Sequence, residues 1–343
     1  MLDVKFRDRE FLSRCHLDLK LLNNYDFIVS DVIPIRKVFI LVTSKGNKVL
    51  KKLEYNLEQL NFISNSIEFI RKNGFSQIIQ FEKNKNGDIY TDWKSNTYVV
   101  MDLINGRECE FNNPIEVAMA ARALGKMHLA SKGFIYKACC DRNICGNILE
   151  RYGQKIDELK FLKTLVNSYE NKTSFDDIFL GHVNRFIEEG EKSIDILKNS
   201  RYCELCEEED KVAICHHDLA YHNILINNDE VYFIDFDYSV VDLRIHDLCN
   251  YIDKVVKGFA YNFQKAKDII DEYSGISELD KREIEVLYGM LYFPEEFYSI
   301  SKDYYFKRKL WSEESFIYKL KKKLENFEER EEMLQTFGEY YKL

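Results

Sequence analysis

Three prolines and 14 glycines are all that interrupt 343 residues of this chain. So few breakers favour long helices and argue against a many-turned, all-β sandwich. The chain must also bury a large core, because 45% of it is apolar and 14% aromatic, with 22 Tyr and 24 Phe. A chain that stays disordered in water does not carry that much apolar surface. At this length the expectation is one deep core or two lobes sharing a cleft.

Net charge narrows the partners. Subtracting 58 acidic residues from 49 basic ones leaves −9, which repels phosphate backbones and anionic membranes unless the basic groups gather in one patch. Neither nucleic acid nor a membrane is an expected partner. A basic pocket for a small phosphate ligand is still allowed, since global charge does not dictate the field inside a cleft. The nine cysteines, at 15, 109, 139, 140, 145, 203, 206, 215 and 249, are odd in number and irregularly spaced, as expected for reduced intracellular thiols. Cys203 and Cys206 form one CxxC, half of a zinc site, but no second pair has the spacing to complete it. They are read as two helix-borne thiols. The charged stretch from Met1 to Arg9, and the lack of any run near the roughly 18 apolar residues that a span requires, lead us to expect a cytosolic protein or one deposited in an assembly built there.

Along the chain, Val38 to Val42 and Lys48 to Leu53 flank Thr43-Ser44-Lys45-Gly46-Asn47 and predict a β-hairpin. Leu57, Leu60, Ile63, Ile67 and Ile70 then recur at helical spacing, with Asn73-Gly74 as a left-handed stop. Ile89-Tyr90 and Tyr98 to Met101 predict two more strands. From Pro114 the pattern becomes helical, with helices expected near 115–130, 154–170, 174–199, 201–210, 242–258, 262–274, 278–293 and 312–330. The fold class is thus α+β, with a small β-rich N-terminal lobe over 1–101, a hinge at 102–106 and a mainly helical lobe over 107–343. One β-hairpin interrupts the helices: Ile224-Leu225-Ile226, a polar turn from Asn227 to Glu230, then Val231 to Asp235.

The densest polar cluster runs into that hairpin, from His216-His217-Asp218 through His222-Asn223, and Ile234-Asp235-Phe236-Asp237 closes it. Taken singly, Asp218 or Asn223 would be read as a turn cap. Jointly, an acid, an amide five residues on and a second acid after a short hairpin match what phosphoryl transfer from ATP to a hydroxyl requires. The first acid orients the acceptor and takes its proton, while the amide and second acid coordinate Mg2+. A metal site built on His216, His217 and His222 instead lacks an i,i+4 ligand pair on a helix.

The segment Ile214 to Asp218, Asn223-Ile224-Leu225, Ile234 to Tyr238 and Arg244-Ile245-His246-Asp247-Leu248 resembles the aminoglycoside phosphotransferase and choline kinase superfamily. Within it, Lys72 to Phe75, Tyr98 to Met101 before Asn105-Gly106-Arg107, and Leu291 to Phe297 resemble the spore-coat CotS family. The resemblance covers nearly the whole chain and implies a bilobal, protein-kinase-like fold that binds ATP and Mg2+. By position, Asp218 matches the catalytic base, His216 the histidine that supports its loop, and Asn223 and Asp235 the magnesium ligands. Lys51 matches the strand lysine that pairs with nucleotide phosphates, with Lys52 as the alternative. The carbonyl of Asp102 and the amide of Ile104 match the backbone groups offered to adenine. Asp247 matches an acid expected to brace the catalytic loop by hydrogen bonds.

The sequence also departs from that pattern. The loop expected over the phosphates, Ile33 to Phe39, has no glycine, so its backbone cannot approach phosphate as a Gly-rich turn can; Arg36 and Lys37 are the compensating charges. Ile63 falls where a helix acid would pair with Lys51, and only Glu58 and Glu68 lie near it in sequence. Asp237 follows the metal-binding acid closely enough to support the metal from behind. Two functions remain: an ATP- and Mg2+-dependent phosphotransferase acting on a small hydroxylated molecule or sugar, or a structural coat component that keeps the scaffold without turnover. The implied partners are a nucleotide, a small-molecule acceptor and other spore coat proteins.

Overall fold

The computed structural model describes residues 18–136 and 141–343. Cys15, Cys139, Cys140 and the charged stretch from Met1 to Arg9 lie outside the described residues. The chain divides into two compact units: residues 18–109 with Tyr136 and His222–Asp237, and Glu110–Ile135 with Asp141–Tyr221 and Tyr238–Leu343. The hairpin after the polar cluster is therefore part of the first unit, although the strands that flank it in sequence, Val212–Cys215 and Val240–Leu243, belong to the second.

The first unit is built on an antiparallel sheet. Strands Val29–Ile35, Val38–Thr43, Lys48–Lys52, Asn96–Asp102 and Phe81–Glu82 lie side by side in that order, and Thr91–Trp93 also pairs with Asn96–Asp102. The expected hairpin stands in register, Ile40 opposite Val49 and Val38 opposite Lys51. Alternation sends Leu50 into a core with Leu41, Val100, Leu21 and Tyr25, and turns Lys51 to the other face. The strand Val29–Ile35 is a correction, since its last residues were read as a loop over the phosphates. Pro34 and Asp31 obscure the pattern, and an edge position tolerates the proline because no neighbour asks for its missing N–H. Only Arg36 and Lys37 remain as the turn, with Arg36 left-handed at φ 51. Ile89-Tyr90 is a second correction: the strand begins at Thr91.

The helix Leu57–Lys72 starts at Asn56, whose side chain accepts the Gln59 N–H, and buries Leu60, Phe62, Ile63, Ile67 and Ile70. It stops at Asn73, followed by Gly74 at φ +97, a backbone region that costs other residues a Cβ clash. Strands Ile224–Asn227 and Glu230–Phe233 join through Asn228 and Asp229 at φ 46 and 61, the double left-handed turn that suits strand twist. Arg107–Glu108 adds a third strand to this hairpin. Gly106 permits that approach, because a Cβ there would lie 3.1 Å from the Ile226 carbonyl oxygen and 3.1 Å from Leu225 Cβ.

In the second unit, helices Pro114–Ala130, Ile148–Asn167, Ser174–Asn199, Arg244–Val256, Phe263–Ser274 and Lys281–Tyr292 follow the expected periodicity, with shifted ends. The stretch near 201–210 yields only Tyr202–Leu205, since the acidic run from Glu207 to Asp210 repels itself along a helix. The helix expected over 312–330 is two, Glu313–Leu324 and Phe327–Tyr341, and Glu295–Tyr305 is a further helix with no forecast behind it. Also unforecast are strands Val212–Cys215 and Val240–Leu243, which pair antiparallel. They are buried on both faces, so they carry no alternation to read. Cysteines 109, 145, 203, 206, 215 and 249 are free thiols.

Candidate active site

In the first unit, the mouth of the Ile224–Phe233 hairpin gathers the charged residues. The Ile234 N–H donates to the Asn223 carbonyl at 3.0 Å, one step beyond the paired Ile224 and Phe233, so Asn223 and the residue after Ile234 emerge at the same end. That residue, Asp235, is left-handed at φ 64, a strained backbone for a side chain of its size. Lys51 Nζ donates to Asp235 Oδ1 and to Asp237 Oδ2, both at 2.7 Å, and the Tyr55 hydroxyl donates to Asp237 Oδ1 at 3.2 Å.

Burial alone would lower the Lys51 ammonium, but the charges of Asp237 and Asp235 outweigh it and raise the pKa. Burial raises the Asp237 carboxyl, Lys51 opposes that, and the Asp235 charge adds to it. Lys52 is exposed at the strand end. The helix acids do not reach the strand lysine: Glu68 pairs with Lys72 at 2.9 Å on the surface. Asp235 and Asp237 take that place, and the sequence signal for it was the Asp-x-Asp spacing itself. Arg36 and Lys37 are each engaged by an exposed acid, Glu108 at 3.3 Å and Glu54 at 3.0 Å.

At the end of the strand Asn96–Asp102, the Asp102 N–H donates to the Gln80 carbonyl at 3.0 Å, and its side chain pairs with the nearly buried Lys48. Among the described residues the Ile104 amide makes no backbone hydrogen bond.

The second unit holds the loop that begins the motif. Asp247 is fully buried on the helix Arg244–Val256, where Oδ2 accepts the His216 N–H at 2.6 Å and Oδ1 the His217 N–H at 2.8 Å. Behind it, Tyr273 OH lies 2.7 Å from His128 Nδ1, and His128 Nε2 lies 3.2 Å from Asp247 Oδ2. A carboxylate only accepts, so His128 donates to it from Nε2. Burial would raise the Asp247 carboxyl, yet the hydrogen bond and charge of His128 hold it well below the usual carboxylate range. The Asp218 N–H donates to His216 Nδ1 at 3.2 Å, which folds the loop over a fully buried ring. Asp218 remains partly exposed, and Lys254 Nζ donates to its Oδ1 at 2.5 Å. Sequence reasoning missed Lys254 and His128, because each is brought to its partner from a different helix.

The family model described as "Spore coat putative kinase YutH" matches residues 20–337. The chain belongs to this family. A curated relative of this YutH-family chain, "Spore coat protein S" of Bacillus subtilis (strain 168), is 25% identical over 314 residues, covering 90% of the chain and 88% of the relative. Among solved structures, an aminoglycoside phosphotransferase from Alicyclobacillus acidocaldarius superposes with a TM-score of 0.83 at 17% identity, covering 95% of this chain and 96% of that one. The amicoumacin kinase hAmiN, in complex with AMP-PNP, Ca2+ and Ami, gives a TM-score of 0.63 at 14% identity, with 96% and 94% covered. At these identities the structural likeness shows the fold, a kinase-like phosphotransferase fold. Among the described residues no helix is long and apolar enough to cross a membrane.

Proposed function

We propose that this YutH-family chain is an ATP- and Mg2+-dependent phosphotransferase that acts on a hydroxyl of a small molecule or sugar and serves in the spore coat. The observation that carries the reading is Lys51 held 2.7 Å from both Asp235 and Asp237. A strand lysine kept charged by two acids is preorganised to meet the anionic phosphates of a nucleotide. Asp235 and Asn223 offer hard oxygen donors from one hairpin end, a donor set that suits Mg2+; the Asp235 side chain is 40% exposed and open to a further partner. When bound, the ion would supply positive charge to offset what develops on the phosphates during transfer.

In this reading Asp218 accepts the acceptor hydroxyl's proton. Its loop is fixed by Asp247 and His216, and Lys254 holds the carboxylate in one rotamer. The Asp102 carbonyl and Ile104 amide receive the adenine edge. The complex of the amicoumacin kinase with AMP-PNP and Ca2+ supports the choice of nucleotide and divalent ion, and the relation to a spore coat protein supports the choice of location. Titration of AMP-PNP with Mg2+ into the protein by calorimetry tests the reading. One equivalent should bind only when the ion is present, and no binding would end the proposal. A second reading, a coat component without turnover, is favoured by the glycine-free turn at Arg36 and Lys37, whose charges are spent on Glu108 and Glu54. It predicts that Asp218→Ala leaves any ATP consumption of the purified protein unchanged.

A further inference from the structure

Beside the loop that carries Asp218 lies a second group of ligating atoms, wholly within the helical unit. His217 follows the strand Val212–Cys215 with its backbone left-handed at φ 62. Its ring Nε2 is buried and has no hydrogen-bond partner among the described residues. That nitrogen lies 3.5 Å from Asp242 Oδ2, on the paired strand Val240–Leu243, and His246 Nδ1 lies 2.6 Å from the same oxygen. The two imidazole rings stand with centroids 4.5 Å apart. All three ligand atoms fall within 4.8 Å of one another. Asp242 itself is 2% exposed, and its other oxygen accepts the Leu243 N–H at 2.7 Å.

A hydrogen-bonded His–Asp–His network accounts for His246 but leaves the buried His217 nitrogen only the long 3.5 Å approach to Asp242 Oδ2, a costly state for a polar atom. A cation satisfies all three atoms at once. Bonds of roughly 2.0–2.1 Å around a tetrahedral ion hold donors about 3.3 Å apart. The spacing of His217 Nε2 and Asp242 Oδ2 already fits that value. His246, on the first turn of the helix Arg244–Val256, would need to withdraw by less than about 1 Å to match it. Two imidazoles and one carboxylate select a borderline transition ion over Mg2+, which prefers oxygen.

We propose that His217, Asp242 and His246 form a binding site for a divalent transition metal of the Zn2+ type, with a fourth position open to water. It shares no residue with the Asn223 and Asp235 pair. Bound there, the ion ties the residue before Asp218 to the strand Val240–Leu243 and the helix Arg244–Val256, acting as a structural staple.

The test uses the full chain after dialysis against a chelator, titrated with Zn2+ by calorimetry and with Co2+ by visible absorption. One equivalent should bind, with a Kd at or below the micromolar range, a four-coordinate Co2+ spectrum and a raised melting temperature. His246→Gln and His217→Gln should each weaken binding at least about tenfold and abolish that spectrum. No binding overturns the site, as does binding unchanged in both variants, which would place the ion elsewhere in the chain. If a variant does not fold, ring 15N shifts in the wild type decide the matter. The nitrogens of His217 and His246 must move with Zn2+, or the assignment fails.

Discussion

Asp247 Oδ2 accepts the backbone N–H of His216 at 2.6 Å. With the His217 N–H on its other oxygen and His128 behind it, one buried carboxylate closes three hydrogen bonds and fixes the loop leading to Asp218. Asp247→Asn puts an amide nitrogen where one N–H needs an acceptor. The expected cost is about 2–4 kcal/mol of stability, read from urea unfolding. A loss below about 1 kcal/mol would show that the loop does not depend on this brace.

Lys51→Met keeps the stem that packs on the sheet and removes the charge that Asp235 and Asp237 hold. Affinity for Mg2+ and AMP-PNP should fall at least about tenfold, or 1.4 kcal/mol, with the melting temperature nearly unchanged. Calorimetry on the folded variant reads this directly, and unaltered affinity would remove Lys51 from the nucleotide site.

Lys254→Met frees the Asp218 carboxylate to rotate. If Lys254 positions Asp218, kcat drops about tenfold while KM for ATP stays within about twofold. A change confined to KM would place Lys254 in binding instead.

Asp253 gives a pH test. Burial raises its carboxyl to about 7, against the opposing charge of Arg330 and with the Glu296 charge adding to the rise. Between about pH 4 and 7 the folded chain therefore keeps a proton that the unfolded chain has released. Stability falls as pH rises through that window and stays lower above it. Asp253→Asn has no proton to lose, so its melting temperature should exceed that of wild type by a few degrees at pH 8 and match it near pH 4. Parallel melting profiles would contradict the shift.

Much of the scaffold was legible in local pattern. Alternation set Leu50 and Lys51 on opposite faces of one strand, helical spacing set Leu57–Lys72, and the polar turn before Glu230 set the hairpin that carries Asn223 and Asp235. These signals are local because each depends on neighbours within a few residues. Strands Val212–Cys215 and Val240–Leu243 were illegible, since burial on both faces erases the alternation that marks a strand.

By itself the sequence determined the motif and its spacing: Asp218, Asn223 and Asp235 in one short span, and Lys51 on a strand. Only the tertiary structure decided their partners. It gave Lys51 to Asp235 and Asp237 in place of a helix acid, Asp218 to Lys254, His216 to Asp247, and His217 to Asp242 and His246. Such pairings join residues tens to hundreds of positions apart. Their energy depends on distance and burial, and neither quantity is defined until the chain has packed.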